Sequence, residues 1–468
     1  MKRLAVLVCL VVLALLLYST GVAWGACTTI IVGKDLTPDG SVLIAHNEEL
    51  GQDSCQHYAV YPARPGGEYE LYSGGSVTEP LTTYAYITSQ VFDMDYIPGD
   101  ITAGVNEHQV AIFNNMTWSR EYPEYPWRVY PGGVIWTEFN ELALQAASSA
   151  REAVLIMGYL SETRQLSADP GTAFGIADAD EGWWIEIARG GQWAAERVAD
   201  DEASMRANCF RIGEIDFSDT DDYLWSTHLI DYAVSMGWYD PADGPFDFAR
   251  VYAADDSLVN PSNTVRHEMV EWALDACGDE IAKTDLMRIL RWHFEGTEYD
   301  LSDEYAISPH STDARTVCRL STEVSIVAQL RGWMPAPVGA VMWMSLKTPC
   351  SSVYVPWYMG IARVPEAFTI GTDKATEGSA YWAFRDLAHY VDNHYAETHA
   401  AVQGEWSAFE ERLFSDQRRV ERRALALYRA DPEAAAEYLT RYSGAVGVRS
   451  VRRALELQAL AFDLVTKP

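Results

Sequence analysis

A cysteine followed by a β-hairpin pattern is the feature that most constrains the fold of this chain. Residues 28–32 are β-branched and apolar, residues 37–40 form a Thr-Pro-Asp-Gly turn signal, and residues 42–45 are apolar again. Folding about that turn brings the start of the first strand beside the end of the second. Cys27 is therefore expected opposite the run His46-Asn47-Glu48-Glu49. The spacing alone places a thiol next to a polar cluster.

The segment before Cys27 has the pattern of a signal peptide. Lys2 and Arg3 precede an apolar run over residues 4–17, and small, turn-prone residues follow up to Ala26. The apolar run is too short for a comfortable transmembrane span. These features predict that residues 1–26 are removed on export and that the mature protein is secreted or periplasmic.

The residues around the predicted cleavage site decide where the mature chain begins. Ala23, Trp24 and Gly25 match the small-x-small preference of signal peptidase, which predicts cleavage before Ala26. Ala26 is then a one-residue propeptide, and its loss exposes Cys27 as the N-terminal residue. The alternative is a lipoprotein with an acylated Cys27. A lipobox prefers leucine where Trp24 stands, which weakens that alternative.

Composition excludes two classes of partner. The chain of 468 residues is 48% hydrophobic and contains 16 Trp and 26 Tyr, which is enough for a large buried core. Its 67 acidic residues against 35 basic ones exclude nucleic acid as a partner, because phosphate binding needs a basic face. Beyond residue 17 no segment is apolar and free of charge over the width of a bilayer, so no stable membrane span is predicted.

Motifs for other chemistries are missing from the sequence. No Cys-x-x-Cys pair occurs, and His267-Glu268 lacks the second histidine of a zinc-protease helix. There is no Gly-x-Ser-x-Gly elbow and no glycine-rich phosphate-binding loop. The sequence therefore predicts neither a metal nor a cofactor.

The rest of the chain mixes strand and helix patterns and ends in a long helical region. Helical periodicity covers residues 134–147, 150–160, 223–236 and 265–276, and strand patterns cover residues 103–106, 110–113, 173–176, 183–188, 193–198, 338–345 and 352–358. After about residue 376 the helical pattern continues almost to the end, with a break and restart at Asp431-Pro432. These shifts predict an α+β domain over residues 27–372 and a helical C-terminal region over residues 373–468.

A cysteine at a newly made N-terminus is a self-contained catalytic unit. Its free α-amine has a reference pKa of about 7.7–8.0 and can take the thiol proton at neutral pH. Such a pair still needs hydrogen-bond donors for the oxyanion and a group that holds the amine in place. Cys27 is therefore predicted to be the nucleophile, with its own amine as the base.

Several ordered blocks of this sequence resemble the cysteine-type dipeptidases of the dipeptidase A and secernin family. The blocks are residues 27–33, 38–41, 44–49, 104–108, 207–214, 321–323 with 329–331, 341–343 and 352–356. More distantly, they are similar to the penicillin V acylases and the conjugated bile-salt hydrolases. The likeness covers roughly residues 27–368.

This resemblance implies an N-terminal-nucleophile (Ntn) hydrolase fold, a four-layer αββα sandwich, and metal-free hydrolysis of dipeptides or related amides through a thioester. Glu49 stands where the wider group has an Asp that orients the amine, and Asn208 where an Asn contacts the oxyanion or the amine. Asn114 or Asn115 is the candidate for the second oxyanion donor. His46 and Asn47 are expected to contact the substrate.

Two residues depart from the family pattern. Where the family has Arg-Asn-Glu-Asp, this chain has His46-Asn47-Glu48-Glu49. His46 replaces a fixed positive charge only when it is protonated, which predicts activity shifted towards lower pH. The family also has a distal arginine, for which Arg315 and Arg319 are available. The distance to Glu323 favours Arg319.

The predicted partner is a small peptide substrate. Two alternatives remain open on the sequence alone: an N-acyl amide hydrolase of the penicillin V acylase or bile-salt hydrolase kind, and a lipid-anchored binding protein without catalysis. A homo-oligomer is compatible with this class of hydrolase, although no residue demonstrates one.

Overall fold

The computed structural model describes residues 27–50, 53–92, 100–121 and 130–467. The predicted signal peptide, its cleavage site and Ala26 lie outside these residues. In the part of the chain that is described, no helix is both long enough and apolar enough to cross a membrane.

Two antiparallel sheets form the centre of the α+β fold. The strands are, in chain order, β1 Thr28–Val32, β2 Val42–Glu49, β3 Gln56–Tyr61, β4 Arg64–Pro65, β5 Glu68–Glu70, β6 Ser76–Thr78, β7 Thr82–Thr83, β8 Tyr86–Val91, β9 Asp100–Asn106, β10 Ala111–Met116, β11 Thr172–Ala177, β12 Gly182–Ile187, β13 Trp193–Val198, β14 Ala203–Arg206, β15 Tyr223–Trp225, β16 Thr322–Leu330, β17 Val341–Leu346 and β18 Val355–Tyr358. Sheet A has the order β14-β1-β2-β16-β17-β18, and sheet B has the order β15-β13-β12-β11-β10-β9-β8-β3. The short strands β4 to β7 form two separate pairs.

Helices flank both sheets and make up the C-terminal region. The α-helices are α1 Trp136–Ala146, α2 Ala150–Arg164, α3 Leu229–Ser235, α4 Phe248–Tyr252, α5 Asp255–Val259, α6 Pro261–Asp275, α7 Lys283–Leu290, α8 Ala336–Gly339, α9 Ala380–Asn393, α10 Tyr395–Ala430 and α11 Pro432–Thr466. The predicted break before α11 is confirmed: Asp431 caps the new helix by accepting from the backbone N–H groups of Glu433 and Ala434.

The N-terminal hairpin forms as its spacing predicts. β1 and β2 pair antiparallel, with Thr28 opposite Asn47 and Val32 opposite Leu43. β2 does not end at residue 45 but continues to Glu49, because its last four residues are buried between β1 and β16 and complete the ladder there. A run of polar side chains is thus held inside the molecule.

The inner faces of the two sheets are in contact. The His46 ring lies 5.5 Å from the Phe113 ring across the interface. Gly175 on β11 faces Thr29 so closely that an added Cβ would lie 2.9 Å from the Thr29 Cγ2 atom. Glycine is needed there because a side chain would push the sheets apart.

Different helices pack against the two sheets. Sheet B shares one hydrophobic cluster with α1 and α2, in which Ile112 and Phe174 meet Leu142 and Met157. A second cluster contains sheet A, residues of sheet B such as Val105 and Phe113, the helices α6 and α7, and the three C-terminal helices. The C-terminal helices are therefore packed on the main body through apolar contacts.

One predicted helix is wrong in its first part. Residues 223–225 form the edge strand β15, which pairs with Ala194–Glu196 of β13, and the helix begins only at Leu229. The Tyr-Leu-Trp sequence fits an edge strand as well as a helix, so packing against β13 decides its conformation.

Candidate active site

Cys27 lies directly before β1 and is only 3% exposed. Its Sγ donates a hydrogen bond to the Glu48 Oε1 atom at 3.3 Å. This contact follows from the hairpin, because the register that places Thr28 opposite Asn47 also brings Cys27 beside Glu48. The sequence-predicted thiol therefore does lie next to the polar run.

The surroundings of Cys27 keep its thiol protonated. Burial raises the pKa of Cys27 well above its usual value, and the carboxylates of Glu48 and Glu49 raise it further, while a hydrogen bond from the backbone of Glu49 opposes them. A buried thiol beside two acids is a poor nucleophile until a base takes its proton. The arrangement thus requires a base close to Cys27.

A chain of hydrogen bonds runs from Glu48 to sheet B. The Thr29 hydroxyl donates to Asn115 Oδ1 at 2.5 Å and lies 2.7 Å from His46 Nδ1, so it accepts from that nitrogen. The other ring nitrogen, Nε2, is 3.2 Å from Glu48 Oε2. Thr29 and Glu48 thus hold the His46 ring in place through its two nitrogens.

Cys27, His46 and Glu48 also offer three buried ligand atoms within 4.8 Å of one another, a spacing that can hold a metal ion. Their hydrogen bonds to each other already satisfy these atoms. In a catalytic zinc site the reacting group is a water molecule in an open position of the metal. If a metal bound here, the Cys27 thiol would be one of its ligands and could not be the reacting group. The geometry fits a thiol with acid–base partners.

Glu49 faces a group of arginines on the other side of β2. Arg315 donates a short hydrogen bond to Glu49 Oε2. Burial raises the pKa of Glu49, and the charges of Arg315, Arg266 and Arg319 oppose that shift. The structure thus pairs Glu49 with Arg315, whereas Arg319 donates to the backbone carbonyl of Ala314.

Replacing Arg315 by methionine is expected to destabilise the fold by about 3 kcal/mol, because Glu49 would stay buried without its ion-pair partner. The matched variant Arg319→Met keeps that pair, so a smaller loss is expected. Chemical denaturation of both variants at pH 7 measures the difference. Equal losses would show that Glu49 does not depend on Arg315.

Arg266 links the nucleophile to Asn208. This fully buried side chain on α6 donates from Nη1 to the Cys27 carbonyl at 2.9 Å and from Nη2 to Asn208 Oδ1 at 2.7 Å. Asn208 in turn donates from Nδ2 to the Met116 carbonyl. Burial, and then the charge of Arg315, lower the pKa of Arg266 to about 9.

A small pocket opens beside the thiol. Its lining residues are Cys27, Glu48, Leu50, Asn114, Met116, Trp136, Asp169, Gly171 and Thr172. The side-chain oxygen of Asn114 is buried and has no hydrogen-bond partner within the described residues, and rotation of the amide would present its Nδ2 donors instead. Of the two predicted oxyanion candidates, Asn114 is the one on the pocket side. Asn115 is committed to Thr29 and to the Arg206 carbonyl.

Asp169 is an acid in this pocket that the sequence analysis missed. Loss of solvation raises its pKa to about 7, although a hydrogen bond from the Trp136 N–H and the charge of Arg189 oppose the shift. Its charge therefore changes near neutral pH. A larger cavity of about 680 Å³ lies at the opposite end of β2, around Ser41 and Lys283, and does not include Cys27.

The predicted site residues thus divide into two groups. Cys27 and Asn114 line the pocket. Glu49 and Asn208 lie outside the lining, and both interact with Arg266, which also binds the backbone of Cys27. Asn47 is not in the lining, because its Nδ2 donates to the carbonyls of Leu290 and Val317 at 2.9 Å each. Its role in substrate binding, and that of His46, stay predictions.

Two missed residues had a signal in the sequence. Arg266 stands on the buried face of α6, three residues before Met269 and four before Val270, where a charge is out of pattern. Glu48 and Glu49 are neighbours on β2, so their side chains point to opposite faces of the strand, and Glu48 points to the side of Cys27. Asp169 lies in a loop and had no such signal.

These features describe a class of protein: an α+β enzyme with a buried cysteine at the start of an inner strand and acid groups around it. The chain matches a family model described as Peptidase family C69 over residues 26–408. The protein therefore belongs to peptidase family C69. This membership confirms the resemblance drawn from the sequence blocks and the prediction of a cysteine-type peptidase.

Similar proteins cover most of the chain. A "Probable dipeptidase" from Latilactobacillus sakei is 27% identical over 79% of this chain and 82% of its own length. A "Probable dipeptidase" from Salmonella dublin is 28% identical over 76% of this chain and 85% of its own length. A "Dipeptidase" from Bifidobacterium longum is 26% identical over 81% of this chain and 79% of its own length.

Solved structures are similar at a lower level. A mutant conjugated bile acid hydrolase from Clostridium perfringens is 11% identical, with a TM-score of 0.28 over 68% of this chain and 89% of that one. An N-acylethanolamine-hydrolyzing acid amidase ortholog from Caenorhabditis elegans is 11% identical, with a TM-score of 0.31 over 64% of this chain and 92% of that one. Such TM-scores are too low to establish a shared fold.

Proposed function

We propose that the protein is a secreted cysteine dipeptidase in which Cys27 becomes the N-terminal nucleophile. The observation that carries the proposal is the Cys27 thiol in a pocket with the carboxyl groups of Glu48 and Asp169. Membership of peptidase family C69 and the names of the relatives support it. Export through the predicted signal peptide and loss of Ala26 are part of the same proposal.

The proposal includes the four-layer αββα arrangement of Ntn hydrolases. In support of it, the two sheets meet through Thr29, His46 and Phe113, and α1 and α2 cover sheet B on its other side. In that arrangement the nucleophile stands at the start of β1, an inner strand of sheet A between β14 and β2.

The reaction proceeds in two steps. The free α-amine of Cys27 takes the thiol proton, and the thiolate attacks the peptide carbonyl to form a tetrahedral oxyanion. The C–N bond then breaks, the proton passes to the leaving amine, and a thioester remains on Cys27. Water, deprotonated by the same amine, attacks the thioester, which releases the acid and restores the thiol. Asn114, which lines the pocket, is the amide donor available to the oxyanion.

The acids of the pocket favour a substrate with a free amino group. A dipeptide carries a charged ammonium close to its scissile bond, and Asp169 and Glu48 offer carboxylates to bind it. An N-acyl amide lacks that charge. No lysine or arginine occurs in the described lining of the pocket. This charge pattern favours a dipeptide over the N-acyl amide alternative.

Replacing Asp169 by asparagine is expected to raise KM for dipeptides about 10- to 100-fold, the value of one hydrogen bond to a charged group. The change keeps an oxygen for the Trp136 N–H. Because the pKa of Asp169 is about 7, its carboxylate form increases between pH 6 and 8, so the KM of the unchanged protein should fall over that range. The Asp169→Asn variant should lose that slope. Steady-state kinetics on free and N-acetylated dipeptides measures both effects.

Two controls make this experiment decisive. Asp216→Asn removes a charge from an exposed turn and should leave KM unchanged. Equal losses on free and N-acetylated dipeptides would mean that Asp169 does not bind the ammonium. Faster hydrolysis of N-acyl amides by the unchanged protein would favour the acylase alternative.

A further inference from the structure

Four buried side chains with metal-binding atoms meet at a second place in the molecule, apart from the Cys27 pocket. They are His293, His310, Cys318 and Cys350, and one donor atom of each lies within 4.8 Å of the others. Cys318 is 0% exposed, Cys350 2% and the His310 side chain 3%. His310 Nε2 lies 3.7 Å from Cys318 Sγ and 3.6 Å from Cys350 Sγ.

Each histidine of this cluster is oriented by a carboxylate. His293 Nδ1 is 2.8 Å from Glu295 Oε1, and His310 Nδ1 is 2.8 Å from Asp392 Oδ1. Each Nδ1 therefore donates to its carboxylate, and this contact directs each Nε2 to the interior of the cluster. Metal-binding histidines are almost always held by carboxylates or carbonyls in this way.

The two Nε2 atoms face each other. His293 Nε2 and His310 Nε2 are 2.9 Å apart. At that distance the two nitrogens share either one proton, in an N–H···N hydrogen bond, or another cation. The second arrangement is the one in which both sulfurs can also take part.

We propose that His293, His310, Cys318 and Cys350 together bind one structural zinc ion. Zinc bonds of 2.3 Å to sulfur and 2.0–2.1 Å to nitrogen give a tetrahedron with sulfur–nitrogen edges of about 3.6 Å, which the two measured edges match. The nitrogen–nitrogen edge would be about 3.3 Å, so the rings need to separate by a few tenths of an ångström. Two thiolates balance the charge of Zn²⁺, and mixed thiolate and imidazole ligands suit zinc.

The role of this ion is structural rather than catalytic. All four tetrahedral positions are filled by protein atoms, which leaves no position for water or substrate. His293 follows α7, and His310 lies in the turn Pro309–Ser311. Cys318 precedes β16, and Cys350 lies in the turn Pro349–Ser351. Between α7 and β16, residues 291–321 contain only the short turn Pro309–Ser311 as regular structure. A long irregular connection of this kind gains order from a metal that links its two ends.

The same connection supports the active site. Arg315, which holds Glu49, and Val317, whose carbonyl accepts from Asn47, both lie between the ligands His310 and Cys318. Asp392 belongs to α9, so the cluster also ties the C-terminal helices to this connection. The zinc ion would therefore fix the segment that presents Arg315 to the β2 strand.

The competing use of the two cysteines is a disulfide between Cys318 and Cys350. Both are free thiols in the structure. A disulfide would consume both sulfur ligands and leave the two oriented imidazoles without a shared ligand. Zinc accounts for the sulfurs, the nitrogens and the two carboxylates together.

The test is the metal content of the full-length protein, purified without chelators or a metal-affinity step. Mass spectrometry of the metals is expected to find about one zinc per chain, released when a mercurial reagent blocks the thiols. Cys350→Ser and His310→Gln should lose the zinc, and Cys277→Ser, which removes a half-buried thiol outside the cluster, should retain it. Removal of zinc by a strong chelator should lower the Tm of the unchanged protein.

A conservative pair of variants separates metal binding from a failure to fold. Asp392→Asn should weaken zinc binding about 10- to 100-fold, since it removes the carboxylate behind His310. Asp386→Asn on the same helix contacts only Arg385 among the described ion pairs and should bind zinc normally. Protein that contains no zinc, even after incubation with zinc under reducing conditions, would overturn the proposal. So would a Cys318–Cys350 disulfide in the peptide map of native, active protein.

Discussion

The Cys27→Ser variant is expected to lose dipeptide hydrolysis by a factor on the order of 10⁴ or more in kcat/KM. The side chain is 3% exposed and donates to Glu48, and serine can keep that hydrogen bond, so the fold should be preserved. What is lost is the more reactive nucleophile, because the α-amine removes a proton much less readily from a hydroxyl than from a thiol. Steady-state kinetics on a dipeptide, with the thermal midpoint of both proteins, measures the two effects.

Cys277→Ser is the matched control for this substitution. Cys277 is a half-buried thiol after α6 that contacts the Ala273 carbonyl and Arg288, so its replacement should leave kcat/KM unchanged. A Cys27→Ser variant as active as the control would refute the assignment of the nucleophile.

The intact mass of the exported protein tests the other half of this mechanism. Active protein should begin at Cys27, with its amine free to act as the base. A diacylglyceryl mass on Cys27 would support the lipid-anchored alternative. Full activity in protein that begins upstream of Cys27 would assign the base to another group, and Glu48, which already accepts from the thiol, would be the first to examine.

The Arg266→Met variant is expected to lose about 2–4 kcal/mol of unfolding free energy and on the order of 100-fold in kcat/KM. The guanidinium is fully buried and supplies hydrogen bonds to the Cys27 carbonyl and to Asn208 Oδ1. Methionine leaves both acceptors buried without that donor, although removal of a desolvated charge offsets part of the loss. The activity falls because Cys27 and Asn208 lose the guanidinium that fixes their positions relative to each other.

Arg266→Lys separates charge from geometry in this prediction. One ammonium keeps the charge but does not span the two acceptors that the guanidinium fork reaches, so an intermediate loss is expected. Arg288→Met, on the exposed side of α7, is the control and should change stability little. Urea denaturation and kinetics on the three variants give the result. An Arg266→Met protein that is as stable and active as the Arg288 control would contradict the linking role.

Much of the nucleophile's surroundings could be predicted from local pattern. The turn signal at residues 37–40 predicts an antiparallel hairpin, and side chains alternate along a strand with a period of two. Cys27 therefore had to face the end of β2, and Glu48 and Glu49 had to point to opposite sides. The same rules predicted the restart of the helix at Pro432, since a capping Asp followed by Pro is a local signal.

The roles within that cluster depended on contacts that local pattern does not carry. The spacing to Glu323 favours Arg319 as the distal arginine, which stays a prediction, and only the structure shows that Arg315 is the residue that reaches Glu49. Asn114 and Asn115 were equivalent in the sequence. Their opposite faces on β10 direct one to the pocket and the other to Thr29.

The sequence by itself determined that a cysteine heads a buried hairpin beside acidic residues, and that a helical region follows the α+β domain. Only the tertiary structure decided which distant side chains complete the two centres. Arg266 joins Cys27 across 239 residues, Asp169 enters the pocket from a loop, and the four proposed zinc ligands extend from residue 293 to residue 350. The physical reason is that periodicity and turn chemistry act over a few residues. The stacking of two sheets and their helices sets which remote side chains share one buried space.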